Sequence, residues 1–286
     1  MARSHCECQR RTAALRRQRR KQLTRLPTLF VSHGAPTLAI DDSPARRFLL
    51  SYGDALGKPR TILVLSAHFE TAVATVTSSS APETIYDFWG FPEALYDITY
   101  PAPGDPALAS RVTELLSAAG IPARLDEQRG LDHGAWVPLS LIYPDADVPV
   151  VQLSIDARKG AAYHFRLGEA LRPLRDEGVL IVGSGGVTHN LSHAINAPPD
   201  APLVDWASAF RDWVADAVDD DRRDALADYR AAAPDAVRNH PTEEHFLPLL
   251  CALGATSPGE PRRRVHESDA HGALAMDVYL FGAWDS

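Results

Sequence analysis

Four short runs of apolar, β-branched and aromatic residues constrain this chain more than any other feature. TLFVSHG begins at Thr28, TILVLSAH covers Thr61–His68, VPVVQLSI covers Val148–Ile155, and VLIVGSG covers Val179–Gly185. Each is continuously apolar rather than alternating, the pattern of strands covered on both faces. Between them lie stretches with helical spacing. Asp105 to Ala119 has an N-cap aspartate, a first-turn proline at Pro106 and a stop at Gly120. Residues 161–175, 202–218 and 222–232 read similarly, and Thr242 is expected to cap a further helix closed by Gly254, with His245 in its first turn. Strands alternating with helices predict an α/β fold, a single layered domain whose central sheet is largely parallel or mixed and flanked by helices. Without an internal repeat or a linker longer than the proline-rich turns near residues 198–202 and 258–261, one domain is expected over 27–286.

Composition narrows the classes further. With 286 residues, 45% hydrophobic and 23% charged, the chain excludes a disordered, collagenous or disulfide-scaffold protein. No window approaches the ~18 consecutive apolar residues of a membrane span. Cys6, Cys8 and Cys251 are too few and too scattered for a framework of bridges, so a reducing cytoplasm is the expected setting. Net charge is −8, unevenly spread: residues 1–26 carry +8 and the remainder −16. An acidic body repels nucleic acid and anionic lipid, so neither is expected as a partner; oligomeric state is not legible. The basic leader, residues 1–26, lacks the apolar core of a secretory signal and is expected to be a poorly ordered tail, with a nucleic-acid arm or a transit peptide as alternatives. His5, Cys6 and Cys8 within it lack a second cluster of metal ligands.

The eleven histidines are informative by position. His33 directly follows the first strand-like run, His68 directly follows the second, and His189 lies just past the fourth, in GSGGVTHN. In an open α/β sheet, ligands bind outside the carboxyl ends of the strands. If these strands are parallel neighbours, three imidazoles converge at one sheet edge, where they can share a metal or serve in acid–base chemistry. His245 can reach the same edge. The spacing His240 to His245 is not HExxH, which argues against a zincin peptidase. His133 falls in LDHGAWVPL, read as a loop in which Asp132 or a backbone carbonyl sets its tautomer. His164, His193, His266 and His271 read as surface or supporting residues. GSGGVTH is neither a P-loop, a dinucleotide fingerprint nor a nucleophile elbow; its glycines are expected to admit a ligand close to the backbone and to turn His189 inward. The aromatic stretch Tyr86–Pro92 reads as a pocket wall for a flat ring or as core.

Taken in order, SHGAP at 32–36, SAHFE at 66–70, YDFWGFP at 86–92, LDHGAWVPL at 131–139, SGGVTHNL at 184–191 and HPTEEHFLPL at 240–249 resemble the class III extradiol ring-cleaving dioxygenases, most closely the DOPA 4,5-dioxygenase branch of the LigB-type superfamily. The resemblance covers all but the leader. It implies an oxidoreductase acting on a catechol and O2, with Fe(II) as cofactor and Zn(II) as an ion that purified samples can acquire. His33, His68 and His245 match the metal ligands, with Glu243 and Glu244 keeping a carboxylate third ligand open. His189 matches the acid–base histidine, close enough in this branch to be a fourth ligand, and His133 matches a second active-site histidine that orients substrate or dioxygen. Arg129 is the residue nearest His133 able to clamp a carboxylated substrate, and is expected at the surface. A zinc-dependent hydrolase and a non-catalytic metal- or peptide-binding protein are the alternatives on the same scaffold.

Overall fold

In the computed structural model, which describes residues 25–283, an eight-stranded mixed sheet runs in the order β4-β3-β5-β2-β6-β1-β10-β7. Its strands are β1 (Thr28–Ser32), β2 (Thr61–Glu70), β3 (Ala74–Thr77), β4 (Ala123–Asp126), β5 (Val150–Ile155), β6 (Val179–Gly185), β7 (Arg262–His266) and β10 (Val278–Phe281); β8 (Asp269–Ala270) and β9 (Leu274–Ala275) pair separately. The four apolar runs form the centre. β5, β2, β6 and β1 are mutually parallel neighbours, while β3 joins β5, and β10 joins β1 and β7, antiparallel. The condition set by the sequence is met: β2, β6 and β1 lie side by side and end at one edge.

Alternate residues of these strands enter two cores, as the two-residue strand period requires. Phe30, Leu63, Leu65 and Ile181 face the helices Pro106–Ala118, Gly160–Leu171, Asp205–Asp219 and Leu247–Gly254. Leu29, Val31, Ile62 and Val64 face the helices Pro44–Leu56 and His133–Ile142. Asp105 caps its helix as predicted, its side chain accepting from Leu108 N–H. The segment 161–175 is a helix to Leu171 with a 3-10 turn beyond, and 222–232 is two short helices. The helix Pro44–Leu56, capped by Ser43, has no counterpart in the sequence reading.

The end of the chain departs from expectation in an instructive way. Thr242 caps no helix; its hydroxyl donates to Glu244, and the helix starts only at Leu247, so His245 lies in the turn before it. All eight residues of Leu247–Gly254 are buried, as an all-round apolar helix requires. Three glycines let it approach its neighbours: a Cβ at Gly183 would strike the Pro248 carbonyl, at Gly185 the His245 carbonyl, and at Gly168 the Cys251 carbonyl. Gly183 and Gly185 of β6 thus admit the Pro248 and His245 carbonyls rather than a ligand, and Gly186 N–H donates to the His245 carbonyl at 2.8 Å.

Leader residues 1–24 lie outside the described residues, His5, Cys6 and Cys8 among them. Arg25 and Leu26, expected as the leader's end, are docked: Leu26 exchanges backbone and side-chain bonds with the fully buried Arg175, and Arg25 pairs with Asp176. Among the described residues, no helix is long and apolar enough to cross a membrane.

Candidate functional site

At the carboxyl edge of β2, β6 and β1, five histidines meet. His33 follows β1, with its backbone N–H held by the Gly185 carbonyl of β6 at 3.0 Å. His68 does not follow β2 but lies within it, where the pairing of β2 with β5 shifts register between Leu65 and Glu70; such irregularities re-aim side chains. His245 is carried in by the buried helix that follows it. Ligand atoms of His33, His68 and His245 all lie within 4.8 Å of one another.

Hydrogen bonds fix the two most buried rings in the tautomer a metal needs. The single proton of the Ser184 hydroxyl goes to the Gly134 carbonyl. Ser184 therefore accepts from His33 Nδ1–H at 2.9 Å, leaving Nε2 with a lone pair. His245 Nδ1–H donates to the Glu244 carboxylate at 3.0 Å, and its buried Nε2 has no partner among the described residues. His33 Nε2 and His68 Nε2 stand 3.0 Å apart, close to the separation of two ligand atoms about 2.1 Å from one ion at a right angle. An orphaned buried nitrogen beside such a pair, with carboxylate and hydroxyl supports behind the rings, fits a metal ion. Burial, followed by the neighbouring imidazoles, pushes His33 and His245 well below the ordinary histidine value; the same causes lower His68 to about 4. All three are neutral at physiological pH, the state in which imidazole ligates.

Two more histidines flank this group. His189 stacks on His245 with ring centroids 3.3 Å apart and planes 11° from parallel. Its backbone N–H donates to the Asn239 carbonyl, and among the described residues no partner hydrogen-bonds its ring. Burial and then His240 push it down to about 3, so the ring is neutral at physiological pH. His133 approaches from the other side, 3.9 Å from the His68 ring centroid.

His133 is not in a loop: it is the first residue of the helix His133–Ile142. Nor does Asp132 set its tautomer. Asp132 is the N-cap of that helix, fully buried, accepting from Ser66 Oγ at 2.7 Å, Gln152 Nε2 at 2.8 Å, Arg129 at 3.0 Å and Ala135 N–H at 3.2 Å. Ser66 in turn accepts the His68 N–H, and Arg129 donates to the His68 carbonyl. Arg129, expected at the surface, thus braces β2 with three-quarters of its side chain covered. The group at His133 Nδ1 is Asp87, at 2.9 Å, a residue the sequence reading passed over inside an aromatic run. Burial pushes the Asp87 carboxyl up, but the hydrogen bonds from the His133 ring and backbone help to hold it below its ordinary value. Phe88 beside it is buried against His133 and Trp136, whereas Trp89 is 86% exposed, so the stretch is both core and rim.

The remaining histidines divide. His164, read as a surface or supporting residue, is fully buried: Nδ1–H donates to the Gly160 carbonyl and Nε2 accepts from Asp156 N–H. His240 is also buried, its Nε2–H on the Val187 carbonyl. Two further groups of potential ligands overlap the first, His68 with Asp87 and His133, and His189 with Glu244 and His245. In both, a carboxylate oxygen already receives an Nδ1–H from a histidine of the same group, whereas the first group is made of imidazoles alone.

A layered α/β sheet with histidines gathered at its carboxyl edge defines a class of protein with a site able to hold a metal ion, and comparison with known proteins identifies which. Residues 27–279 match the family model described as the catalytic LigB subunit of aromatic ring-opening dioxygenase. The chain belongs to that family and is an aromatic ring-opening, extradiol dioxygenase. Within it, the chain falls in the DOPA dioxygenase branch. It is 44% identical over 259 residues to a 4,5-DOPA dioxygenase extradiol of Beta vulgaris, covering 89% of this chain and 96% of the relative. It is likewise 44% identical over 257 residues to one of Escherichia coli K12, covering 88% and 93%. A crystal structure of an uncharacterized protein from Escherichia coli K12 superposes with a TM-score of 0.77 at 39% identity, over 90% of this chain and all of that one.

Proposed function

We propose that this chain, with residues 27–286 as its catalytic domain, is a non-haem Fe(II)-dependent dioxygenase that opens a catechol ring beside the diol. The substrate class is DOPA or a similarly substituted catechol, the co-substrate is O2, and the product is a muconic semialdehyde. The observation that carries this reading is the meeting of His33, His68 and His245 around one point, with His133 and His189 on either side. Fe(II) supplies the redox chemistry by which triplet dioxygen reacts with a singlet catechol. His33, His68 and His245 are its ligands, and because all three are neutral they leave its positive charge to favour a catecholate.

The flanking histidines handle protons. His189, neutral and with an unpaired ring, takes a catechol hydroxyl proton as the ring binds and returns one as the ring opens; its stacking on His245 also puts it in reach of a fourth ligand position. His133 presents Nε2 to substrate or dioxygen, since Nδ1 is held by Asp87. The setting is a reducing cytoplasm, consistent with a buried free thiol at Cys251.

The test is anaerobic loading with Fe(II), then addition of DOPA or catechol and air. Oxygen consumed in step with a yellow product is the expected result, and zinc-loaded protein is expected to be inactive. Hydrolytic activity with zinc and no oxygen requirement, or metal binding without turnover of any catechol, would overturn the proposal in favour of a hydrolase or a binding protein.

A further inference from the structure

The carboxylate of Asp87 lies at the junction of two elements the chemistry needs. It comes from the loop before the buried Phe88, and its Oδ1 receives two bonds from one residue: the backbone N–H of His133 and the His133 ring Nδ1, both at 2.9 Å. The first of these is an orphan donor at a helix N-terminus, where a carboxylate is also favoured by the helix dipole. The second decides which ring nitrogen carries the proton, because a carboxylate can only accept. Its other oxygen, Oδ2, lies 3.8 Å from His68 Nδ1. Phe88 closes edge-on over the His133 ring, centroids 5.7 Å apart at 89°, so the ring has little freedom to turn away. With backbone and ring both anchored on one oxygen, His133 is held in one tautomer and one orientation.

We infer that Asp87 is a positioning residue: in the neutral ring of His133 it fixes the proton on Nδ1, so that the lone pair turned to substrate or dioxygen is on Nε2. This rests on the role proposed for His133 above. No covalent step is assigned to Asp87. What it requires of position 87 is an acceptor oxygen rather than a negative charge, so asparagine, whose Oδ1 can take both N–H bonds, is expected to substitute far better than alanine.

The experiment uses full-length protein labelled with 15N-histidine. Long-range 15N–1H spectra of the metal-free form report the tautomer of each ring, with His133 assigned through His133→Gln. Wild type is expected to show His133 as Nδ1–H. Asp87→Asn is expected to keep that signal and to retain kcat within about tenfold, whereas Asp87→Ala is expected to give mixed tautomers. The alanine variant should also lose about 100-fold or more in kcat, with KM changed far less. An Nε2–H signal for His133 in the wild type, an unchanged tautomer in Asp87→Ala, or equal loss of kcat in the alanine and asparagine variants would each overturn the inference. Should Asp87→Ala not fold, a change to Nε2–H in Asp87→Asn would overturn it alone. Because the tautomer is read without metal or turnover, a protein that shows the expected signals yet cleaves no catechol would refute the dioxygenase reading and leave the positioning of His133 intact.

Discussion

Replacing Asp132 with asparagine preserves the shape of a buried side chain and removes one charge and one acceptor. The native carboxylate receives four donors: Ser66 Oγ and Ala135 N–H on one oxygen, Gln152 Nε2 and Arg129 Nη2 on the other. An asparagine amide can accept on one side only, and its NH2 group then faces two donors whichever way it turns. Gln152 cannot rotate to compensate, since its Oε1 already accepts the backbone N–H of residue 132. Breaking a buried ion pair from one side costs about 3–5 kcal/mol. With a quarter of the Arg129 side chain in solvent, the lower end applies, and about 3 kcal/mol corresponds to roughly 10 °C in melting temperature for a domain of this size. Calorimetry of the metal-free variant checks the magnitude, and a metal titration checks the local consequence, because Ser66 and Arg129 both hold the backbone at His68. A melting temperature within about 2 °C of wild type, with metal affinity unchanged, would refute the reasoning that this network sets the position of the His68 strand.

Other outcomes follow from the same geometry. His189→Ala is expected to keep its metal and lose most turnover, on the order of 100-fold or more; metal analysis and an oxygen electrode check it, and undiminished turnover would remove the assigned role. Ser184→Ala leaves His33 Nδ1–H without its acceptor, so metal affinity should fall about 10- to 100-fold by titration. The metal-free protein should lose stability in acid: burial lowers both His164 and His240 to about 4, whereas each titrates near 6.5 when unfolded. The unfolded chain therefore binds more protons between those values, and stability falls as pH drops from about 6.5 toward 4. Each ring accounts for roughly 3 kcal/mol by pH 4. Urea midpoints measured across that window would contradict this by staying level.

The central strands and the histidines at their ends were legible because the signal is local: an uninterrupted apolar run stopped by a histidine or glycine reads the same in sequence and in space. Thus β1, β2, β5 and β6 lie where expected, and His33, His68 and His189 share an edge. The sheet's outer members were not legible, since β4 is the polar ARLD and β7 the basic RRRVH, edge strands with little burial to pattern them. His133 misled because a helix opening HGAWVP has no polar face to mark it; nine of its ten residues are buried. Asp87 was hidden for a related reason. Its partner is 46 residues away, and the one available signal was a lone carboxylate within the aromatic run YDFWGFP, where apolar neighbours make a charge costly unless paired. The glycines at 183 and 185 were recognised as sites of close approach, but what approaches is the chain itself.

A crystal of the protein grown and loaded anaerobically with Fe(II), measured at the iron absorption edge, would locate the metal without reference to turnover. The expected result is a single anomalous peak within bonding distance of the Nε2 atoms of His33, His68 and His245. A peak instead between His68, Asp87 and His133, or beside Glu244 and His189 without His33, would contradict the ligand set proposed here, as would iron bound anywhere else.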